Sequence, residues 1–313
     1  MLACRLPNPA PGYQASTCVR ALLTAKADPA RASDKYRLTA LHVAAESAPP
    51  QCPTQPCAAA LLTAPAPLGR TAGGYIAVVQ QLVEVLEPKE VDHTLEDGKT
   101  ALMLACKIGH PRTVKVLLEA KADPLLKDHR NRGADGFTPI MHAALFGNVE
   151  CVATVLRNAR QDLRLDLIKA HNDTADTALH LAALHGHRRV VALLLRERAE
   201  VGLANQRGET PLHMSSKNGH AQVVCALLAS GANVNKADTV MGYTALHHCC
   251  TASGGKDVAD ALMEVGAKVN LRDQNQNTPL HLACVTGNDL IVDTLLKYKV
   301  RGCGQGGRCP VSR

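Results

Sequence analysis

Histidine and cysteine are the side chains of this sequence with the most recognisable chemistry. The chain has 14 histidines and 12 cysteines, and four of them are consecutive at His247-His248-Cys249-Cys250. Imidazole and thiolate groups are the usual ligands of zinc. Consecutive residues of a helix point about 100° apart, however, so these four side chains cannot converge on one tetrahedral ion. The run therefore predicts no metal site, and we expect no cofactor.

Other motifs of catalysis and phosphate binding lack the context that they need. The segment 302–307 has the form G-x-G-x-x-G, but no helix N-terminus follows it to direct backbone amides at a phosphate. The pairs Cys52/Cys57 and Cys303/Cys309 are spaced more widely than C-x-x-C. We find no G-x-x-x-x-G-K-[S/T], H-E-x-x-H or G-x-S-x-G motif. We therefore predict no catalytic residues, no enzyme activity and no small-molecule substrate.

A repeated tetrad, Thr-[Pro/Ala]-hydrophobic-[His/Met], organises the chain. Its seven copies begin at Thr39, Thr100, Thr138, Thr177, Thr210, Thr244 and Thr278. The last four copies are 33, 34 and 34 residues apart. A period of this length is typical of small supersecondary units that bury their apolar faces only by stacking on one another.

The unit that begins at Thr210 shows how each repeat is built. Thr210 is a good N-cap, and Pro211 occupies the first helical position, where its missing N–H costs nothing. Gly219 ends this first helix, because glycine adopts the left-handed conformation without steric penalty. A second helix follows, with Val223, Val224, Leu227 and Leu228 on one apolar stripe.

These residues resemble the ankyrin repeat family, whose pattern is T-P-L-H-x-A-A-x-x-G-H, followed by V-V-x-x-L-L and G-A-x-V-N. The resemblance covers roughly residues 16–299. It implies an all-α ankyrin-repeat solenoid of stacked helix-turn-helix units with projecting turn fingers, about seven units in all plus a degenerate N-terminal half unit. It also implies a concave face that binds another protein. In two fingers, Ala175 and Gln276 replace the usual glycine.

The ends and one long insertion break the repeat pattern. We expect disorder in residues 1–15, in the Pro/Ala-rich insertion 46–73 and in the Gly/Arg/Cys tail 300–313. The ankyrin repeat domain would then occupy 16–299. A loop lengthened from two to 28 residues adds only about 2 kcal/mol of closure free energy, so the interrupted unit can still fold.

The repeat accounts for most histidines and several cysteines. We assign His42, His142, His180, His213, His247 and His281 to the tetrad, and His110, His187 and His220 to the position after the helix-ending glycine. We predict that they hydrogen-bond to the backbone of neighbouring units. Cys106, Cys151, Cys249, Cys250 and Cys284 fill apolar slots and are predicted to be small buried residues.

Two spacings are longer than the others, and both adjoin the unit at Thr138. The spacings before and after Thr138 are 38 and 39 residues, and we place both extra lengths in net basic fingers, the second through Arg157, Arg160, Arg164 and Lys169. Phe137 and Phe146 are the only phenylalanines in the chain and belong to this unit. Aromatic residues are enriched at binding hot spots. We predict partner contacts from Phe137, Leu145, Phe146, Leu184, His185, Arg130, Arg132, Lys217 and Tyr243. Packing of the phenylalanines between units is the alternative.

The predicted function is that of a monomeric scaffold, adaptor or regulatory subunit that holds another protein in its groove and fingers. The basic fingers favour an acidic segment on that partner. Two alternatives remain: the ankyrin region of a larger enzyme or channel, or a nucleic-acid-binding protein that uses the basic fingers. The second is less favoured, because a net charge of +7 is a mild bias and no nucleic-acid reading element is recognisable.

Composition indicates the compartment. No apolar segment near Met1 resembles a signal peptide, and no run of 18 apolar residues occurs. Cysteines that are scattered over 313 residues differ from the dense disulfide framework of a small secreted domain. We therefore expect a cytoplasmic or nuclear protein with reduced thiols and no segment inserted in a membrane.

Overall fold

The computed structural model describes residues 39–46, 76–129, 136–251 and 255–301. Within these ranges the chain forms sixteen helices and two isolated β-bridges, with no strand. In chain order the helices are α1 (Ala40–Glu46), α2 (Ile76–Val85), α3 (Pro88–Val91), α4 (Ala101–Ile108), α5 (Pro111–Glu119), α6 (Pro139–Leu145), α7 (Val149–Asn158), α8 (Gln161–Lys169), α9 (Ala178–Leu184), α10 (Arg188–Arg196), α11 (Pro211–Lys217), α12 (Ala221–Ala229), α13 (Ala245–Thr251), α14 (Lys256–Glu264), α15 (Pro279–Val285) and α16 (Asp289–Arg301). The predicted all-α class is confirmed.

The tetrads set the starts of the first helices, as the sequence predicts. A helix begins directly after each tetrad threonine, at α1, α4, α6, α9, α11, α13 and α15. In α4, the hydroxyl of Thr100 accepts a hydrogen bond from the backbone N–H of Met103 over 3.3 Å. The glycine after the first helix has a positive φ, which is 91° at Gly109 and 73° at Gly219. Threonine caps and left-handed glycines thus bound the first helix.

Contacts divide the described residues between two compact bodies. The N-terminal body comprises described residues of Met1–Ala143 and Glu150–Leu167, and the C-terminal body comprises those of Ala144–Val149 and Ile168–Arg313. In the C-terminal body, the first helices α9, α11, α13 and α15 pack in series, and so do the second helices α10, α12, α14 and α16. In the N-terminal body, α1 packs on α4 and α2 packs on α5. Each body is thus built by stacking of like helices.

The second helices bury one apolar stripe each. Val223, Val224 and Leu227 of α12 are almost fully buried, and Val190, Val191 and Leu194 occupy the same places in α10. Leu228, which the pattern also placed on the stripe, is half-buried. Each fully buried Val or Leu contributes roughly 1.5–3 kcal/mol relative to an exposed side chain. A stripe of this kind stabilises a helix only when the next repeat covers it.

The extra residues between the tetrads at Thr138 and Thr177 form a helix. The sequence interpretation, which placed them in a long finger, was wrong. Residues after α7 form α8, which ends with Leu167 and Ile168 buried and leaves Leu165 exposed. Arg157 lies in α7, where its guanidinium is 3.7 Å from the Glu150 carboxylate. Leucines at alternate positions from 163 to 167 concealed the helical period. The extra length before Thr177 is therefore an added structural element.

Several sequence predictions lie outside the described residues. These are the disordered segment 1–15, the half unit that starts at residue 16, most of the insertion 46–73, and the tail beyond Arg301. Helix α1 ends at Glu46, and α16 extends to Arg301, two residues past the predicted end of the repeat domain. None of the described helices is both long enough and apolar enough to cross a membrane.

Candidate functional site

Most tetrads form a hydrogen-bonded tie between their threonine and their histidine. In the Thr177 repeat, the backbone N–H of Thr177 donates to Nδ1 of His180 over 3.2 Å, and the threonine hydroxyl lies 2.9 Å from the same nitrogen. A ring nitrogen that accepts a bond carries no proton, so the proton of neutral His180 is on Nε2. That nitrogen donates to the carbonyl oxygen of Glu209 in the next repeat over 3.2 Å. Both ring nitrogens thus have structural roles.

The same tie recurs along both bodies. Nε2 of His42 donates to the Lys99 carbonyl, that of His213 to the Lys236 carbonyl, and that of His247 to the Asn277 carbonyl. After the helix-ending glycine, His187 and His220 bond in the other direction, to the carbonyls of Leu145 and Leu184 in the preceding repeat. The predicted structural role is confirmed for these histidines. His110 differs, because its Nε2 is buried without a hydrogen-bond partner among the described residues.

His142 does not belong to this set, and its assignment to the tetrad was wrong. The tetrad of that repeat is Thr138-Pro139-Ile140-Met141, so His142 is the residue after it. Because Met141 has no imidazole, the hydroxyl of Thr138 is buried without a partner in the described structure. Nε2 of His142 lies instead 2.9 Å from Oδ2 of Asp128, a carboxylate on the preceding finger. The pair is almost completely buried.

Asp128 closes the finger that leads to Phe137. Oδ1 of Asp128 accepts the backbone N–H of Phe137 over 2.7 Å, and the Asp128 N–H donates to the Phe137 carbonyl over 3.0 Å. The phenyl ring lies on the His142 imidazole, with ring centres 5.6 Å apart. We call Asp128, Phe137 and His142 the Asp128 clamp. It fixes the start and the end of this finger to one helix.

A second clamp has the same construction in the C-terminal body. Oδ1 of Asp238 accepts the N–H of Tyr243 over 3.2 Å, and Oδ2 lies 2.9 Å from Nε2 of His248. The Tyr243 ring stacks on His247 at 5.5 Å and meets His248 edge-on at 5.4 Å. We call Asp238, Tyr243 and His248 the Asp238 clamp. Here the finger also contributes the Met241 N–H to the aspartate, over 2.9 Å.

The flanking charge differs between the clamps. The residue before the threonine of the preceding repeat is Lys99 for the Asp128 clamp and Glu209 for the Asp238 clamp. Both side chains are almost fully buried, at 5% and 7% exposure. Lys99 forms an ion pair with Asp97. Glu209 contributes one carboxylate oxygen to a group with Asp238 and His248 whose ligand-type atoms all lie within 4.8 Å of one another.

Charge compensation around Glu209 is weak. Its Oε2 lies 3.5 Å from the side-chain amide of Asn205 and 3.7 Å from Nε of Arg207, whose side chain is 60% exposed. Asp238 has backbone and imidazole donors, and these lower its pKa against the opposing effect of burial, which is the largest single influence. Two buried carboxylates therefore adjoin one another with no buried ammonium or guanidinium beside them in the described structure. Such an arrangement is costly unless a positive charge is supplied.

Burial lowers the pKa of five histidines of the tetrads and the Asp238 clamp. It lowers the pKa of His213 to about 4, with a smaller contribution from the neighbouring His248. Burial likewise lowers the pKa of His42 to about 4, and it lowers those of His180, His247 and His248. Neutral imidazoles with both nitrogens engaged cannot exchange protons with a substrate, so the tetrad histidines are not candidate catalytic bases.

Five of the predicted partner-binding residues lie at the C-terminal ends of first helices in the C-terminal body. Leu145 and Leu184 are half-buried, and their carbonyls accept the ties from His187 and His220. Phe146, His185 and Lys217 are exposed, and the Phe146 side chain is 48% exposed. We call these three side chains the first-helix ridge. The ties hold consecutive helix ends together, so the ridge residues follow one another from repeat to repeat.

The remaining predicted site residues are not part of this ridge. Phe137 and Tyr243 are half-buried, and each packs on histidines of the helix that follows it in its own repeat. Phe137 belongs to the N-terminal body. Arg130 and Arg132 lie outside the described residues.

A model of the ankyrin repeats matches the chain in three copies, at residues 70–166, 161–238 and 236–305. The chain belongs to the ankyrin repeat family. The resemblance deduced from the tetrads is therefore confirmed, and so is the fold that it implies. Ankyrin repeats are non-catalytic, protein-interaction modules, and the paired helices and fingers of this chain are their characteristic elements.

The relatives that the chain matches are all much longer than the chain. The chain is 33% identical over 218 residues to the human transient receptor potential cation channel subfamily A member 1, which covers 68% of this chain. It is 29% identical over 201 residues to the ankyrin repeat protein nuc-2 of Neurospora crassa, and 35% identical over 187 residues to the bovine ankyrin repeat and SOCS box protein 3, covering 64% and 60% of this chain. The chain spans only 19%, 18% and 34% of the lengths of these proteins.

The cysteines of the ankyrin repeats behave largely as predicted. Cys106, Cys151, Cys249 and Cys250 are buried, and burial raises the pKa of Cys151 and that of Cys250 to about 12. Cys284 is exposed, contrary to the prediction, because its helix α15 is the last first helix described and no further repeat covers it there. The thiol of Cys249 donates to the Gly255 carbonyl, away from the carboxylate partner of His248. The consecutive histidines and cysteines thus diverge, as helical geometry requires.

The clamps were missed by the sequence interpretation, although a signal was present. Among the seven tetrads, only those at Thr138 and Thr244 have an aromatic residue directly before the threonine and a histidine four residues after it. In regular fingers, an Asx side chain instead bonds a backbone N–H four residues later, as Asn172 does to Asp176 and Asp273 to Asn277. Alignment of the tetrads position by position reveals the coincidence. The aspartate partners are harder to find, because they precede the aromatic residue by nine positions in one finger and by five in the other.

Proposed function

We propose that this ankyrin repeat chain is a protein-binding scaffold, adaptor or regulatory subunit, monomeric on its own, that holds a partner against the first-helix ridge. The observation that carries the proposal is the exposure of Phe146, His185 and Lys217 at the C-terminal ends of the first helices of three successive repeats. Phe146 and His185 occupy the same repeat position, and Lys217 lies one position earlier in its repeat. An exposed aromatic side chain on a rigid scaffold is a favourable anchor for a partner. Because the ties of His187 and His220 fix these helix ends, a partner meets a preorganised surface.

Charge supports an acidic segment as the bound element. Arg188 and Arg189, at the start of α10, and Lys217 are exposed, and none forms an ion pair with an acidic side chain in the described structure. Uncompensated basic groups beside an apolar anchor favour a partner segment that carries Asp or Glu around an apolar residue. Such charges mainly increase the association rate and fix orientation, whereas the anchor supplies most of the affinity.

The test is affinity capture with two matched triple variants. The ridge variant combines Phe146→Ser, Arg188→Glu and Lys217→Glu, and the control combines Val265→Ser, Lys256→Glu and Lys268→Glu, which are also exposed residues of the C-terminal body. Both variants change the net charge equally. We expect captured proteins that depend on the ridge to be lost with the first variant and retained with the second, at unchanged helical circular dichroism. Equal capture by the two variants would refute the ridge as the binding surface.

A second candidate is that the chain is the ankyrin region of a larger protein. The specific observation is its similarity to the cation channel, of which it matches less than a fifth. An immunoblot of the endogenous protein tests this proposal directly. A band at the 33.2 kDa of this chain contradicts it, and a much larger band that shares its peptides supports it.

A further inference from the structure

The buried group of Glu209, Asp238 and His248 has the composition of a metal site. One imidazole nitrogen and two carboxylate oxygens come from two consecutive repeats, and their ligand-type atoms lie within 4.8 Å of one another. The three side chains are only 7%, 4% and 8% exposed. Burial distinguishes this group from the surface clusters of acidic residues that are common in proteins, because buried carboxylates must be charge-compensated.

The local charges favour a cation in this place. Oδ1 of Asp238 accepts the N–H groups of Met241 and Tyr243 over 2.9 and 3.2 Å, and its Oδ2 lies 2.9 Å from Nε2 of His248. Glu209 adds a second carboxylate, and the nearest guanidinium, that of Arg207, is exposed and 3.7 Å away. Lys217 and His213 are the other basic groups that act electrostatically on the cluster; His213 is held by its own tie to Thr210 and Lys236. A divalent ion would neutralise both carboxylates at once.

The Asp128 clamp gives an internal comparison. It has the same aspartate and histidine at the same 2.9 Å separation, but the buried Lys99 occupies the place of Glu209. Lys99 is paired with Asp97, and the described residues include no third ligand-type group beside Asp128 and His142. One clamp thus adjoins a buried glutamate, whereas a lysine paired with another aspartate occupies the matching sequence position for the other.

We propose that Glu209, Asp238 and His248 form a binding site for a divalent transition metal of the zinc type, which joins the repeats at Thr210 and Thr244. The mixed nitrogen and oxygen donor set suits zinc and its neighbours, whereas magnesium and calcium prefer oxygen alone. Bonds of about 2.0–2.2 Å hold ligand atoms roughly 3.4 Å apart. Ligand atoms that are now as much as 4.8 Å apart must therefore approach by up to about 1.4 Å, and the Asp238 and His248 atoms, 2.9 Å apart, must separate slightly. The proton on Nε2 of His248 moves to Nδ1 as the ion binds, and water completes the coordination.

The test is a titration of the full, reduced and chelator-treated chain with zinc chloride, in which isothermal titration calorimetry measures binding. Glu209→Gln is nearly isosteric and should weaken zinc binding more than about tenfold, and His248→Ala should abolish it. Lys99→Gln and His142→Ala are the matched controls in the Asp128 clamp, and both should bind zinc as the wild type does. Helical circular dichroism confirms that each variant is folded.

Cobalt(II) chloride separates this site from the cysteines. Cobalt bound by thiolate shows an intense sulfur-to-metal charge-transfer absorption, whereas cobalt bound by imidazole and carboxylate does not. We expect one equivalent to bind without that absorption and to be displaced by zinc, with magnesium ineffective. Absence of zinc binding, equal binding by wild type and Glu209→Gln, or a thiolate absorption at the first equivalent would overturn the proposal. The ridge is tested separately, because none of its residues is a proposed metal ligand.

Discussion

The Asp128 clamp and the Asp238 clamp place one hydrogen-bonding device in two electrostatic surroundings. In each, an aspartate at the start of a finger bonds the backbone N–H of an aromatic residue at its end and the Nε2 of a histidine on the following helix. Phe137 is nine residues after Asp128, and Tyr243 is five residues after Asp238. The tie therefore tolerates fingers of different length, because it fixes only their ends.

What differs is the buried residue from the preceding repeat. Lys99 forms an ion pair with Asp97, whereas Glu209 places a second carboxylate beside the aspartate of its clamp. The fold is the same, so the difference in chemistry comes from one side chain at one repeat position. The two clamps thus differ in the side chain at one repeat position as well as in the length of their fingers.

The largest expected effect comes from reversing the charge of the buried residue Lys99, which precedes the Asp128 clamp by one repeat. Lys99→Glu places a buried carboxylate beside Asp97 and removes the ammonium, and we expect a loss of about 3–5 kcal/mol in the free energy of unfolding. Urea denaturation followed by circular dichroism measures it. Lys115→Glu, the same change at an exposed lysine, is the control and should cost less than about 1 kcal/mol. Similar losses in the two variants would show that the ion pair of Lys99 with Asp97 contributes little to stability.

Acid should act strongly on the repeats around the Asp238 clamp. Because the pKa of His213 in the fold is about 4, below its usual 6.5, the unfolded chain binds more protons between these values. Stability is therefore complete above about pH 6.5 and falls as the pH drops toward 4. His213 alone should account for a loss of roughly 2 kcal/mol between pH 7 and pH 5.

Urea denaturation of wild type and His213→Gln at the two pH values measures this contribution. The pH-dependent loss should be smaller in the variant by roughly 2 kcal/mol. Hydrogen exchange resolved by peptide assigns the loss to α11 and its neighbours. An unchanged pH dependence in the variant would mean that His213 is not held neutral by burial.

A smaller difference should distinguish the two aromatic residues. Tyr243 contacts two imidazoles, whereas the ring contact described for Phe137 is with His142. We expect Tyr243→Leu to cost about 1–2 kcal/mol and Phe137→Leu about 0.5–1 kcal/mol, measured by urea denaturation. Tyr243→Phe keeps the ring and serves as the control. If Phe137→Leu lowered the free energy of unfolding more than Tyr243→Leu, the number of imidazole contacts would not explain the stability of the two residues.

The smallest effect is expected in a regular finger. Ala175 has φ of 62°, in the left-handed region where a side chain is strained, and the matching position of the next finger is Gly208 with φ of 72°. Ala175→Gly should raise the free energy of unfolding by about 0.5–1 kcal/mol. The reverse change, Gly208→Ala, should destabilise, because its Cβ would lie 2.5 Å from the backbone nitrogen of Thr239. Destabilisation by Ala175→Gly would show that the alanine is not strained.

Much of the scaffold was predictable, because its signals are local. Thr210 caps a helix and Gly219 ends it through interactions within a few residues, and the repetition of these residues identifies the family. The helix α8 was missed, because its buried residues Leu167 and Ile168 are not arranged with clear helical period among exposed leucines. Of the predicted binding surface, Phe146, His185 and Lys217 are exposed, as a contact surface requires, whereas Phe137 and Tyr243 pack on histidines.

The sequence by itself determined the repeats and their helix starts, since these depend on short-range geometry that recurs in seven tetrads. The ties of most histidines to neighbouring repeats were also predictable, because their positions recur with the repeat. The sequence also excluded convergence of His247, His248, Cys249 and Cys250 on one ion. Only the tertiary structure showed that His142 pairs with Asp128 and His248 with Asp238. It also showed that Glu209 lies beside the second of these pairs. These relations join residues of different repeats, and their distances depend on how the helices stack and the fingers fold.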